Sequence, residues 1–170
     1  IVTIEQRGTT YHSHLFGQDR TAQTADELAR LADHIRLNGC YPYLTTPDEL
    51  QALESDPDRL TALFKRLMRE TTERWLRIAE ERLEGLPTKC FISPGNDDDF
   101  DLDPVLAGSR RVIFPEGQVV DLDGEHTMIS CGYANMTPWH CPRDIEDEAL
   151  RVRLEAMLSE VDDPSRCVFN

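Results

Sequence analysis

The sequence predicts a layered α/β fold. Short apolar or β-branched runs alternate with amphipathic helical segments, and Asp123-Gly124, set between two strand-like runs, adds an antiparallel hairpin. A chain of 170 residues with 39% hydrophobic and 29% charged residues has the composition of a folded globular domain. We expect one domain over residues 1–170, with a hairpin plus helices over 1–86 and a sheet-forming core over 87–170.

The elements follow in order. Ile1-Val2-Thr3-Ile4 is β-branched, Arg7-Gly8-Thr9 offers a turn, and Tyr11 to Phe16 returns as a second strand. From Thr24 the period changes: Thr24 and Glu27 form a capping box, Leu28, Leu31, Ala32 and Ile35 share a face, and Gly39 ends the helix. Thr46-Pro47-Asp48-Glu49 starts a short helix carrying Leu50 and Leu53. Asp56-Pro57 opens the longest helix, in which Leu60, Leu63, Phe64, Leu67, Thr71, Trp75, Ile78 and Leu83 repeat near 3.6 until Gly85-Leu86-Pro87. Lys89 to Ser93 reads as a buried strand, and Arg111 to Phe114 and Gln118 to Leu122 as two more. Asp123-Gly124 is expected to be a two-residue turn into His126–Cys131. An irregular segment covers 134–143, and a last helix begins near Asp144, with Leu150, Leu154, Met157, Leu158 and Val161 on one face.

A net charge of -14 disfavours nonspecific binding to nucleic-acid polymers and to anionic membranes, both of which are gripped by clustered Lys and Arg. It leaves room for a phosphorylated substrate, because bound divalent cations reverse the sign of the local field. Five cysteines, Cys40, Cys90, Cys131, Cys141 and Cys167, contain no Cys-x-x-Cys pair and read as reduced thiols of a cytoplasmic protein. No run of about 18 apolar residues is present to span a bilayer.

Chemistry concentrates at Pro94-Gly95-Asn96-Asp97-Asp98, directly behind the apolar run Cys90-Phe91-Ile92. Glycine permits a sharp turn where a strand stops, and an asparagine carbonyl beside carboxylates supplies the hard oxygen donors that divalent ions prefer. Gly, Asn and Asp are also the residues that turns use, so a plain turn explains the tetrapeptide equally well. Continuing the acidic run through Asp99, Asp101 and Asp103 does not make an EF-hand. From Asp97 the required Gly and Glu meet Leu102 and Gly108, and from Asp99 they meet Pro104 and Arg110. Alternating Phe100 and Leu102 instead predict a short segment that buries both side chains. His12 and His14 share a strand face, an arrangement open to chelation but equally natural on a solvated hairpin. His140-Cys141 has no identifiable partner for nucleophilic chemistry.

The Gly95-Asn96 loop resembles the third signature block of the calcineurin-like metallophosphoesterases, and the likeness extends to Tyr41-Pro42-Tyr43 and to Gly132-Tyr133-Ala134-Asn135 through Thr137-Pro138-Trp139. The resemblance implies part of a four-layer αββα sandwich with a helical and β-hairpin insertion. It further implies metal-dependent hydrolysis of a phosphomonoester or phosphodiester by two divalent ions (Mn, Fe, Zn or Mg), acting on a phosphorylated small molecule or nucleotide.

Residue by residue, Asn96 is then a metal ligand, Gly95 and Asp98 support its loop, and Asp97 takes a catalytic position where many members carry histidine. A carboxylate cannot act as a cationic donor, so Asp97 must be protonated, bind metal or water, or cede that role. Tyr133, Trp139 and His140 become possible pocket residues, with core packing an equal reading for the two aromatics. The family's Asp-x-His, Gly-Asp and Gly-His-x-His blocks are expected outside residues 1–170, which would leave this stretch inactive alone. The competing expectation is a non-catalytic acidic α/β module that binds a protein through its long charged helix.

Overall fold

Two β-branched runs and a glycine turn build the first hairpin. In the computed structural model, which describes all 170 residues, β1 (Val2–Arg7) and β2 (Thr10–Leu15) run antiparallel with Ile4 opposite Ser13, and Gly8 takes a φ of 63° at the turn. Phe16 and Gly17 turn the chain again into β3 (Gln18–Ala22), a third strand completing the extended stretch expected over residues 1–22, where only a two-stranded hairpin was expected. Its position at the sheet edge accounts for its polar composition, since an edge strand needs little apolar surface.

Helix α1 (Ala25–Leu37) begins where expected: the Thr24 side chain accepts the Glu27 N–H, while the Glu27 carboxylate reaches one residue further back, to the Gln23 N–H. Its Leu31 and Ile35 pack on Ile4, Leu15 and Ala22, each large side chain contributing roughly 1.5–3 kcal/mol of burial. Tyr41-Pro42-Tyr43 leads into β4 (Pro42–Thr45), also unforeseen, which pairs parallel to β1 and completes the sheet order β3-β2-β1-β4. Thr46 caps α2 (Pro47–Glu54), and the long α3 (Pro57–Leu83) follows. Leu53 of α2 meets Leu63 and Leu67 of α3 over Tyr41 and Tyr43.

The chain divides into two compact units, Ile1–Thr71 and Thr72–Asn170, so that α3 contributes to both. Everything described so far belongs to the first. In the second unit Leu76 and Ala79 of α3 pack with Leu106, Val112, Cys90 and Ile92. Arg111 donates to the carbonyls of Leu83, the last residue of α3, and of Leu86 beyond it at 2.6 and 2.7 Å, tying the chain that leaves the helix to the strand that follows Arg111. Strand β5 (Cys90–Phe91) is shorter than the 89–93 expected and is extended by one bond from Ile92 N–H to the Ile113 carbonyl.

Asp99 then caps a 3-10 turn (Phe100–Leu102) that runs into α4 (Asp103–Ala107), where a short segment burying both Phe100 and Leu102 was expected. Helical spacing buries Leu102 and leaves Phe100 exposed, because residues two apart do not share a helix face. β6 (Val112–Ile113) pairs parallel to β5. β7 (Val119–Asp121) and β8 (Thr127–Ile129) form the hairpin, but its loop is longer than two residues. Leu122 N–H bonds the His126 carbonyl, and the Asp123 carboxylate closes the intervening residues by accepting from the Glu125 and His126 N–H groups.

Two-residue strands β9 (Ala134–Asn135) and β10 (Asp144–Ile145) pair in parallel, so α5 (Asp147–Ser159) starts three residues later than expected. On α5 Met157 is buried against Ile129 and Val161, while Leu158, expected on the same face, is exposed. β11 (Cys167–Phe169) pairs parallel to β8, giving the order β11-β8-β7. The architecture is therefore mixed α/β, with five helices and several small sheets. No helix is long and apolar enough to cross a membrane.

One glycine fixes how closely two loops approach. A Cβ on Gly132, just after β8, would lie 2.6 Å from the Pro94 carbonyl oxygen, inside van der Waals contact with rigid backbone. Gly132→Ala should cost about 1–3 kcal/mol, read as a lower urea midpoint at unchanged slope.

Candidate functional site

The carboxyl ends of three strands meet in the second unit. The Asn170 side-chain amide, following β11, donates to Ser93 Oγ beyond β5 at 3.0 Å and to Ser130 Oγ beyond β8 at 2.9 Å. The Cys131 N–H returns a bond to the Asn170 carbonyl. Loops leaving the carboxyl ends of parallel strands are where open α/β sheets bind ligands. Pro94 to Asp98 is one such loop.

Within it, the Asp98 carboxylate accepts the Gly95 N–H at 2.7 Å, and the Asp98 N–H reaches the Gly95 carbonyl at 3.2 Å, so the turn closes on itself. Asp97 is exposed at the tip, and Asn96 is half-buried. Both ends of Asn96 are engaged by a segment 47 and 48 residues away. Its carbonyl accepts the Arg143 N–H at 3.0 Å, and its Nδ2 donates to Asp144 Oδ1, also at 3.0 Å.

Asp144 accepts three further bonds on Oδ2: from the Thr137 hydroxyl, and from the N–H groups of Thr137 and Cys141 at 3.0 and 2.9 Å. Together with Asn96 these donors, the Thr137 hydroxyl foremost, hold its pKa down at about 2. Sequence reading took Asp144 as the opening of a helix. The chemistry is that of a cap, a carboxylate accepting backbone N–H groups, but it is spent on the loop behind it instead of the helix ahead.

Arg143 escaped notice as well. It is 1% exposed, and its guanidinium donates to the carbonyls of Asp98 (3.0 Å) and Asp99 (3.5 Å) and to both Asp103 carboxylate oxygens, lying 4.5 Å over the Phe100 ring. A buried charge requires such partners, and these lie some 40 residues away, so no local pattern marks them.

The remaining candidates are dispersed. Tyr133 packs 4.1 Å beneath Arg153 and 6.1 Å from the Phe100 ring, whereas Trp139 and His140 are exposed on the 137–141 loop, His140 with a φ of 50°. In the first unit His12 contacts the Thr10 hydroxyl and His14 contacts Asp19, each at hydrogen-bonding distance. No three His, Cys, Asp or Glu side chains gather as a metal cage anywhere in the chain. Asn96 is thus at most one ligand of a larger set, and the residues present do not by themselves make a two-metal centre.

No family model matches the chain, and no curated protein or solved structure matches it significantly.

Two measurements follow. Arg143→Leu strands Asp103 and two carbonyls and should cost about 3–5 kcal/mol, with Arg143→Lys a poor substitute because an ammonium lacks the planar fork. A carboxylate whose folded pKa lies below its unfolded value stabilises above the unfolded pKa, and that contribution fades as pH falls through the folded one. The urea-midpoint advantage of wild type over Asp144→Asn should accordingly be full above about pH 4 and shrink toward pH 2.

Proposed function

We propose that this chain carries the asparagine loop of a calcineurin-like metallophosphoesterase, a hydrolase of phosphomonoesters or phosphodiesters built on a four-layer αββα sandwich. The observation that supports this reading best is the meeting of the β5, β8 and β11 carboxyl ends beside a Gly95-Asn96 loop whose side-chain nitrogen is occupied by Asp144. With Nδ2 committed there, the Asn96 donor left for a cation is the hard carbonyl oxygen.

Two divalent ions, when bound, would polarise the phosphoryl oxygens and supply a hydroxide nucleophile. This chain's own part is narrower. Asn96 Oδ1 offers one ligand, Asp98 closes the Gly95 turn beneath it, and the exposed Asp97 is free to hold a water or ion where a histidine would donate. A phosphorylated small molecule or nucleotide is the substrate class that such a centre serves.

A second reading, a non-catalytic protein-binding module, draws on Trp75 and Ile78, which are exposed on α3. Mn titration of the protein carrying its complete ligand set separates the two. The hydrolase reading expects thermal stabilisation by Mn, about 2.7 kcal/mol at a hundredfold excess over Kd, together with phosphoesterase activity. Asn96→Ala should abolish both, and should cost the metal-free protein only the Asn96–Asp144 hydrogen bond, about 1 kcal/mol. Indifference of the wild-type protein to Mn, or full Mn-dependent activity in Asn96→Ala, refutes it.

A further inference from the structure

We infer that Asn38-Gly39, the cap that ends α1, is a self-modification site: the Gly39 backbone nitrogen attacks the Asn38 side-chain amide, and the cap itself sets how often it can do so. Of the asparagines in the chain, Asn38, Asn96, Asn135 and Asn170, only Asn38 precedes a glycine.

The chemistry needs water and nothing else. The Gly39 nitrogen, losing its proton, forms a bond to the Asn38 Cγ; the bond from Cγ to Nδ2 breaks, and Nδ2 takes up the proton and leaves as ammonia. The product is a five-membered succinimide. Water then adds to one of the two ring carbonyls and opens the ring, giving aspartate when the new Cγ bond breaks and isoaspartate when the original backbone amide breaks. Glycine permits the closure because a Cβ on the attacking residue would crowd its nitrogen. Both residues are exposed, and the space around Gly39 is open, with no atom within 4 Å of where a Cβ would stand.

The folded cap keeps the two groups from reacting. Asn38 Nδ2 donates to the His34 carbonyl at 2.8 Å, so the amide is tied to the preceding turn. The Gly39 N–H donates to the Arg36 carbonyl at 3.0 Å and the Cys40 N–H to the Ile35 carbonyl at 3.2 Å, the paired bonds of a Schellman ending, with Gly39 at a φ of 74°. A nitrogen whose proton is engaged by a carbonyl is a poor nucleophile. Ring closure therefore waits for both bonds to open.

Those bonds belong to the last turn of a helix, where opening costs least, and the rate is scaled by the fraction of molecules in which the cap is open. The reaction then undoes its own guard. A carboxylate at position 38 offers the His34 carbonyl no donor and sets negative charge at the negative end of the α1 dipole.

Peptide mass spectrometry of the full chain, aged at neutral pH, tests this. The peptide containing residue 38 should gain one mass unit, with isoaspartate identified by fragmentation, while those containing Asn96 and Asn135 stay unchanged. Asn38→Gln, which would have to close a six-membered ring, should remove the gain. The urea-unfolded wild type should react about tenfold or more faster than the native protein, the ratio expected when a tenth or fewer of native molecules have an open cap. The modified native protein, separated by anion exchange through its added charge, should unfold at a lower urea midpoint than the unmodified fraction. No gain at residue 38 in the native protein after about a hundred half-lives of the unfolded chain, or a gain that persists in Asn38→Gln, would overturn the site. A rate ratio well below tenfold would overturn the guarding role of the cap, and an unchanged midpoint would overturn the loss of the cap on modification.

Discussion

The buried guanidinium of Arg143 is the interaction around which the second unit's loops are arranged. A charge at 1% exposure is tolerable only where its donors are spoken for, and here they are taken by the Asp103 carboxylate and by the carbonyls of Asp98 and Asp99. Those acceptors span the turn after Asn96, the cap of the 3-10 turn and the first residue of α4. One side chain thus converts a run of aspartates, which by mutual repulsion would favour an extended and mobile loop, into a folded one. In a chain of net charge -14, placing one of only 18 basic residues there concentrates positive charge where acidic density is high.

Around that clamp the loops are brought together by close backbone approach as much as by side chains. Gly132 lets the segment after β8 touch Pro94, and its N–H donates to Glu116 at 2.7 Å, while Arg153 bridges Glu116 and the Tyr133 ring. Asn170 then ties Ser93 to Ser130. The result is a layered contact of three strand-end loops in which the Asn96 turn is held from beneath by Asp98, from the side by Asp144 and at its backbone by Arg143.

Local signals were legible wherever a residue acts on its near neighbours. Thr24 and Thr46 announce their helices because a hydroxyl three residues before an amide can cap it; the period of α3 announced a helix but not its buried face, since Leu60, Phe64, Trp75 and Ile78 of the expected face are exposed while Met68 and Leu76 are buried. The strand before the Asn96 loop was legible as an apolar run, although only Cys90–Phe91 pair in it and both are half-buried where a buried strand was expected. Edge strand β3 was not legible as a strand of its own, because its stability comes from pairing with β2 and needs no apolar pattern. The alternation of Phe100 and Leu102 misled: it is a strand signal, overridden by the Asp99 cap and by Arg143 drawing the carbonyls inward.

The sequence by itself determined the mixture of helices and strands, the capped helix starts, the absence of a long apolar span, and the loop in which Asn96 stands among turn-forming and acidic neighbours. Only the tertiary structure decided that Arg143 is buried, that Asp144 faces Asn96 instead of the helix it precedes, and that Gly132 must lack a side chain. The physical reason is range. Caps, turns and amphipathic periods are set within about four residues, whereas a buried charge and an oriented amide depend on partners some 40 to 50 positions away, which no local pattern records.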